Sequence, residues 1–134
     1  MKITADTNVL VRAAVLDDPG ESALAADALL DAEAVAVTLP ALCEFVWVLM
    51  RGYKRSAGEV AAAVQKLIES ASVLVDRPAV EAGLAVLERG GDFADGVIAF
   101  EGRRAGGPVF TSFDREAVEL IEATGGEARL LSKL

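Results

Sequence analysis

The sequence predicts an α/β fold with a central, mostly parallel sheet of four to five short strands. Short apolar runs of strand length alternate along the chain with longer stretches in which apolar residues recur at helical spacing. Parallel strands joined by helices need right-handed crossovers, which cover both faces of the sheet. With 134 residues and neither repeats nor a linker, residues 1–134 are predicted to form one domain.

The predicted elements follow one another without long gaps. Strands are predicted over residues 2–5, 35–37, 73–75, 108–111 and 128–131. Helices are predicted over residues 9–14, 21–31, 38–51, 56–70, 77–89, 93–104 and 116–122, with a loop at 17–20. Asp6 or Thr7 is suited to cap the first helix, Pro40 fits a first helical turn, and Gly52 ends the third helix.

The composition excludes several classes of catalytic site. The chain has no His and a single Cys, Cys43, which excludes a zinc site, a Ser-His-Asp triad, a Cys-His pair and an intrachain disulfide. The net charge of −8 argues against loose, non-specific binding of nucleic acid, although a local basic patch is compatible with it.

The hydropathy pattern gives no sign of a membrane protein. No apolar run approaches the roughly 18 residues of a membrane span. The longest candidate, residues 39–50, contains Glu44, and Asp6 follows the N-terminus before a signal-peptide core could form. We therefore expect a cytoplasmic protein with no membrane partner.

Four carboxylates stand at positions that suggest a shared site. Asp6 and Asp114 each follow a predicted strand, and α/β sheets place their sites at the carboxyl ends of strands. Glu44 is the only charged residue between residues 39 and 50, so this apolar helix predicts a buried carboxylate that needs a partner. Asp95 opens another helix. Oxygen-only clusters of this kind bind hard divalent cations, Mg²⁺ or Mn²⁺.

Each acid also has a purely structural interpretation. Asp6 can cap the helix that follows it, and Asp114 can be an ordinary turn acid. Asp95 can complement a helix dipole, and Asp92 is predicted to cap that same helix or to support the site. Glu44 can be half of a buried salt bridge. Taken together, the four acids favour a metal site over four unrelated structural roles.

The sequences around these acids resemble those of a PIN domain, most closely the toxin nucleases of VapBC-type toxin–antitoxin pairs. The resemblance covers the chain from Lys2 to Leu131 in the family's order of elements. The segments that carry it are Asp6-Thr7-Asn8 after the first strand, Glu44 in an apolar helix, Asp92-Phe93-Ala94-Asp95 at a helix start, and Thr111-Ser112-Phe113-Asp114 after a strand.

This resemblance implies a three-layer α/β/α fold and a Mg²⁺- or Mn²⁺-dependent endoribonuclease. It assigns catalysis to Asp6, Glu44, Asp95 and Asp114, with Asp6, Asp95 and Asp114 as metal ligands. Supporting roles are expected for Asn8, which would orient the first Asp, and for Asp92 and Ser112. Ser112 stands where Thr is the commoner residue of the family. As in the family, the expected products carry a 5′-phosphate and a 3′-hydroxyl.

RNA recognition is predicted to use basic side chains. Arg12, one helical turn after Asn8, is the preferred phosphate contact. Trp47 is predicted to lie in the core, which leaves few aromatic platforms for bases and favours recognition of RNA by its shape and backbone. Further candidate phosphate contacts are Arg51, Lys54, Arg55, Arg103, Arg104 and Arg115.

Protein partners are expected as well. The early helices carry more apolar residues than one small core needs, namely Leu24, Leu29, Val46, Val48, Leu49, Val60 and Val64. We interpret the excess as a homodimer face and as a groove for a helix or tail of a cognate antitoxin. DNA would be contacted only through that antitoxin.

Three alternatives to a PIN nuclease are considered for these residues. A haloacid-dehalogenase-like phosphatase also has an Asp after its first strand, but it needs a second Asp where this chain has Asn8. A receiver domain needs a late strand-end Lys, and the only late Lys is Lys133. In a different class, the chain could be a catalytically inactive PIN-fold interaction module.

Overall fold

The computed structural model describes residues 1–133, which group into two compact units. The N-terminal unit comprises Met1–Asp76, and the C-terminal unit begins at Arg77. Each unit contains its own hydrogen-bonded parallel strands and its own helices.

The N-terminal unit alternates strands with helices. Its elements are β1 (Lys2–Thr4), α1 (Thr7–Ala14), α2 (Pro19–Asp31), β2 (Ala34–Ala36), α3 (Leu39–Trp47), α4 (Ala57–Glu69) and β3 (Val73–Leu74). The α3 helix continues directly into a π-helical turn at Val48–Gly52. The strands pair in the order β1-β2-β3, all parallel, with Val35 aligned to Ile3 on one side and to Val73 on the other.

Apolar side chains of the helices fill the interior of this unit. Leu10 of α1, Leu42 and Phe45 of α3, and Val60 and Val64 of α4 are all buried. Their spacing of three or four residues within each helix puts them on one face, and removing that face from water favours the folded chain.

The C-terminal unit is built from three helices and one strand pair. Its elements are α5 (Arg77–Glu88), α6 (Phe93–Ala105), β4 (Val109–Ser112), α7 (Arg115–Ala123) and β5 (Glu127–Leu130). The two strands are parallel, with Phe110 opposite Ala128. Helices α5 and α6 pack so closely that a Cβ on Gly96 would lie 2.3 Å from the carbonyl oxygen of Ala82. This contact admits only glycine at residue 96, and it fixes the start of α6.

The α/β class is confirmed, and residues 1–133 contain five short strands whose ladders are all parallel. The ladders form a group of three and a pair. Helix α2 begins at Pro19, two residues earlier than predicted, because Asp18 caps it by accepting a hydrogen bond from the Glu21 N–H. The one-domain organisation stays a prediction.

Part of the predicted partner surface is wrong. Val46, Leu49, Val60 and Val64 are at most 3% exposed, so they belong to the interior of the protein. Leu24, by contrast, is 72% exposed. Within the described residues, every helix is too short or too polar to cross a membrane.

Candidate active site

Asp6 ends the first strand and starts the first helix. Its Oδ1 accepts a hydrogen bond from the Thr7 N–H at 2.8 Å, which makes Asp6 the N-cap of α1. The side chain is exposed, as is Asn8 in the first turn of the same helix. Within residues 1–133, Oδ2 of Asp6 accepts no hydrogen bond. The cap therefore uses one carboxylate oxygen and leaves the other open.

Glu44 corrects the sequence-based interpretation, because its side chain is exposed rather than buried. Helix α3 buries Leu42, Phe45 and Val46, whereas Glu44 and Trp47 point to solvent. The prediction failed because the helix is apolar on both faces, so periodicity could not tell which face is covered. Since water solvates Glu44, its charge needs no buried partner.

Trp47 is the second correction on the same helix. It was predicted to lie in the core, but the structure leaves 60% of it exposed. The signal that could have found this is the spacing from Glu44. Residues three apart on a helix share a face, and a charged residue is seldom fully buried.

Asp92 is the N-cap of α6, as predicted. Its Oδ1 accepts a hydrogen bond from the Ala94 N–H at 3.1 Å, and its backbone carbonyl accepts one from the Asp95 N–H at 3.1 Å. This geometry fixes Asp95 in the first helical turn, where its carboxylate faces the positive end of the helix dipole.

Asp114 caps the next helix at the end of strand β4. Its Oδ1 accepts hydrogen bonds from the N–H groups of Glu116 at 3.0 Å and Ala117 at 3.3 Å. The Oγ of Ser112 in turn accepts a hydrogen bond from the Asp114 N–H at 3.0 Å. Ser112 therefore braces the backbone of Asp114, and Asp114 keeps one carboxylate oxygen outside the cap.

Asp95 is the electrostatic centre of the C-terminal unit. Partial burial raises the pKa of its carboxyl group above the ordinary aspartate value, and the negative charges of Asp92 and Asp114 raise that pKa further. The two charged groups that shift the pKa of Asp95 are therefore both carboxylates. The structure brings together these three acids in one unit, while Asp6 and Glu44 belong to the other.

The acids do not form a ready-made cage. Among residues 1–133, no group of three or more Asp, Glu or Cys side chains is placed so that it could hold a metal ion without rearrangement. In the C-terminal unit, the negative charges of Asp92 and Asp114 act against ionisation of Asp95, and a cation bound at Asp95 would offset that repulsion.

Comparison with known protein families decides how this set of acids is to be interpreted. The sequence profile described as PIN domain matches residues 3–122. The chain belongs to the PIN domain family. The match extends through both compact units, from β1 to α7. A search of curated proteins found no match to this PIN domain.

Family membership places the chain on a nuclease-type fold, and PIN domains are typically metal-dependent nucleases that use divalent cations. Asp6 of the N-terminal unit and Asp95 and Asp114 of the C-terminal unit each offer hard carboxylate oxygens, the ligands that such a cation prefers. The crowding of acids around Asp95 is the structural observation that supports this fit.

Arg12 occupies a different environment from the one predicted for an RNA contact in this PIN domain. Its guanidinium pairs with Asp17 at 3.0 Å and Glu21 at 3.8 Å and donates a hydrogen bond to the Tyr53 hydroxyl at 3.4 Å. Burial acts against the charged form, but the attraction of Glu21, Tyr53 and Asp17 outweighs it and raises the pKa of Arg12. The sequence analysis gave no role to Tyr53, whose hydroxyl also donates to Asp17 Oδ2 at 2.9 Å.

Proposed function

We propose that this PIN domain is a Mg²⁺- or Mn²⁺-dependent endoribonuclease that acts in the cytoplasm as the toxin of a toxin–antitoxin pair. The observation that carries the nuclease assignment is Asp95, a half-buried carboxylate whose pKa is raised by burial and by the neighbouring Asp92 and Asp114. Carboxylates crowded in this way are costly for the free protein and become useful once they share a cation.

In this proposal Asp6, Asp95 and Asp114 are the metal ligands, and Glu44 completes the catalytic set. A bound divalent cation supplies Lewis acidity, which activates water and stabilises negative charge on the phosphate. The protein's part is to hold the acids in place. The helix caps do this at Asp6 and Asp114, because each cap fixes one carboxylate oxygen and leaves the other for a ligand.

Three further residues support the acids. Ser112 braces the Asp114 backbone, and Asp92 fixes the first turn that carries Asp95. Asn8 lies two residues after Asp6 in the first turn of α1, from where it would orient that carboxylate.

The test of this assignment is cleavage of structured RNA by the purified protein with Mg²⁺, with Mn²⁺ and with EDTA. We expect cleavage with either metal, none with EDTA, and a loss of at least about 100-fold in Asp95→Asn. The products should carry 5′-phosphate and 3′-hydroxyl ends. Asp27→Asn is the matched control, since Asp27 is an exposed acid on α2. Equal cleavage by Asp95→Asn and Asp27→Asn would remove the proposed site.

The toxin role implies a protein inhibitor. The N-terminal unit carries an apolar groove of about 490 Å³ whose lining includes Leu10, Leu29, Leu30, Phe45 and Leu67. We assign this groove to an amphipathic segment of the antitoxin, since such grooves bind the apolar face of a helix. A net charge of −8 favours a basic inhibitor, which could place an Arg among the carboxylates. Co-expression with the neighbouring upstream gene should yield a complex without nuclease activity.

A homodimer is the expected state of the toxin. Leu16 and Leu24 are 76% and 72% exposed, which is a large apolar surface for helix α2 and the loop before it in a monomer. Light scattering across a range of protein concentrations measures this directly. If the protein is a monomer at every concentration and still cleaves RNA, the dimer proposal is rejected and the nuclease proposal is kept.

The second candidate is a catalytically inactive interaction module. The observation that favours it is that no three acids of residues 1–133 are placed to hold a metal without rearrangement. The two candidates differ in the cleavage assay, because a module of this kind would bind its partner and leave RNA intact under every metal condition.

A further inference from the structure

Helix α3 and the π-helical turn that continues it share one face that is open to solvent and carries three large side chains in a row. Glu44, Trp47 and Arg51 are spaced by three and four residues, and all three are exposed. The opposite face is buried through Phe45 and Leu49. A helix places residues at this spacing on one stripe, so an acid, an aromatic ring and a guanidinium line up over about two turns.

Trp47 is the most unusual member of the stripe. Trp is highly buried on average in folded proteins, yet here 60% of it is exposed. The indole lies one helical turn from Glu44, a proposed catalytic residue. An exposed indole at this position offers a flat apolar surface on the same helix face as Glu44.

The stripe continues into residues 48–55, which we call the basic segment. Arg51, Lys54 and Arg55 are exposed, and residues 45–58 contain no acid, although the whole chain has a net charge of −8. Within residues 1–133, the one ion pair of the Arg55 side chain is a long one, 3.8 Å, with the exposed Glu59. Such a pair contributes little, so Arg55 can exchange it for a phosphate at small cost.

The backbone of this segment is specifically shaped. It begins with the π-helical turn at Val48–Gly52, a rare element that is frequent at functional sites. Lys54 follows with φ of 55°, a left-handed conformation that costs a non-glycine residue free energy. These two features direct Lys54 and Arg55 away from a continuing helix.

The network around Arg12 holds the segment in place. The Tyr53 hydroxyl donates to Asp17 Oδ2 at 2.9 Å and accepts from Arg12, so the tip of the segment is tied to helix α1 and the loop after it. Arg12 thus acts as a positioning residue for the basic segment. The phosphate contact that the sequence suggests for Arg12 stays a prediction.

We propose that Trp47, Arg51, Lys54 and Arg55 form a binding surface for single-stranded RNA that leads to Glu44. Trp47 stacks on a base, while the three basic side chains bind successive phosphates. The combination of aromatic stacking with a basic track is how proteins hold single strands without reading sequence. The inference rests on the proposed function, because it takes RNA to be the substrate.

The chain offers a direct probe, since Trp47 is its only tryptophan. We would titrate the full protein with oligouridine of about 10 nucleotides in EDTA, and follow tryptophan fluorescence and, separately, anisotropy of end-labelled RNA. Stacking should quench the fluorescence along the same binding curve as the anisotropy. Binding without any change in fluorescence would overturn the role of Trp47.

Variants separate stacking from charge. Trp47→Ala should weaken binding by at least about fivefold, as expected for the loss of one base stack. Arg51→Gln/Lys54→Gln/Arg55→Gln should weaken binding and lower the slope of log affinity against log salt by about 2, since each phosphate contact on a single strand contributes roughly 0.7. Tyr53→Phe keeps the charge but frees the segment, and should weaken binding by a smaller factor.

The control removes three charges elsewhere. Lys66→Gln/Arg89→Gln/Arg129→Gln changes three exposed basic residues and lowers the net charge equally. An equal loss of binding in this control and in the 51/54/55 variant would overturn the proposal, because the effect would then come from total charge. Tryptophan fluorescence that depends on protein concentration but not on RNA would also overturn the proposal. Trp47 would then contact a second copy of the chain.

The outcome is distinguishable from the fate of the nuclease proposal. RNA binding with the expected variant effects but no cleavage would uphold the surface and reject the enzyme. Cleavage that is abolished by EDTA and by Asp95→Asn, yet unaffected by Trp47→Ala and by the 51/54/55 variant, would uphold the enzyme and reject the surface.

Discussion

The two compact units place their acidic side chains in different environments. In the C-terminal unit, partial burial of Asp95 and the negative charges of Asp92 and Asp114 make ionisation of Asp95 costly. In the N-terminal unit Asp6 and Glu44 are exposed, and Glu44 shares its helix face with Trp47 and Arg51. The acids of the two units are therefore not equivalent. The C-terminal unit has the charge crowding that a cation would relieve, whereas the N-terminal unit has the surface that would hold a nucleic acid.

The greatest change in the free energy of unfolding is expected from truncating a buried aromatic side chain in either unit. Phe45 and Phe93 are fully buried aromatic residues, one in each unit. Phe45→Ala and Phe93→Ala should each lower the free energy of unfolding by about 3–5 kcal/mol, because each leaves a cavity. Urea denaturation followed by circular dichroism measures both. A single transition shifted by either variant means one cooperative protein, whereas a split transition in one variant means that the units unfold separately.

The next effect separates helix capping from catalysis in the two units. Asp6→Asn and Asp114→Asn should keep the melting temperature within a few degrees, because Asn caps helices about as well as Asp. Both should lower RNA cleavage by at least about 100-fold, since a neutral amide is a poor ligand for a divalent cation. A fall in melting temperature that parallels the fall in activity would return these acids to a structural role.

A smaller effect concerns a cap that has no part in the site. Ser56 Oγ accepts a hydrogen bond from the Glu59 N–H, and the Glu59 carboxylate accepts one from the Ser56 N–H, which together start helix α4. Ser56→Ala should cost about 1 kcal/mol of stability, measured by denaturation, and should leave cleavage unchanged. A clear loss of activity would show that α4 is coupled to the site.

The smallest effect is a pH dependence confined to the C-terminal unit. The pKa of Asp95 is raised in the folded protein, so the unfolded chain releases this proton first as pH rises. Stability therefore falls as pH rises from the ordinary aspartate pKa through the raised value, and the full penalty is present at neutral pH. In EDTA, Asp95→Asn should melt above the wild type at pH 7, and the gap should close near pH 3. If the wild type and Asp95→Asn have the same melting temperature at pH 7 as well as at pH 3, the raised pKa of Asp95 is contradicted.

Much of the fold could be predicted from the sequence because its causes are local. Strand and helix positions follow from short apolar runs and from apolar periodicity, and most bounds lie within two residues of those observed. The caps at Asp6, Asp92 and Thr38 are also local, since each side chain accepts a hydrogen bond from the following backbone. The start of α2 was missed because Pro19 was interpreted as part of a loop, although proline fits a first helical turn.

The identities of the site residues stay a prediction, whereas the structure shows the environment of each one. Asp95 and Asp114 could be chosen from their positions at the starts of helices, and the structure places them near each other. Apolar periodicity did not indicate the exposure of Glu44, since helix α3 has apolar residues on both faces. Arg12 and Tyr53 are 41 residues apart, so their hydrogen bond depends on long-range folding that no sequence spacing indicates.

The sequence by itself determined the class of fold, the family and the exclusion of His- and Cys-based catalysis, because these depend on residue types and on their order along the chain. Tertiary packing sets which face of α3 is exposed, which acids pair with Arg12 and which acids raise the pKa of Asp95. Those properties are set by neighbours that are distant in sequence. Electrostatic repulsion and burial act through space, and only the folded chain fixes the distances on which they depend.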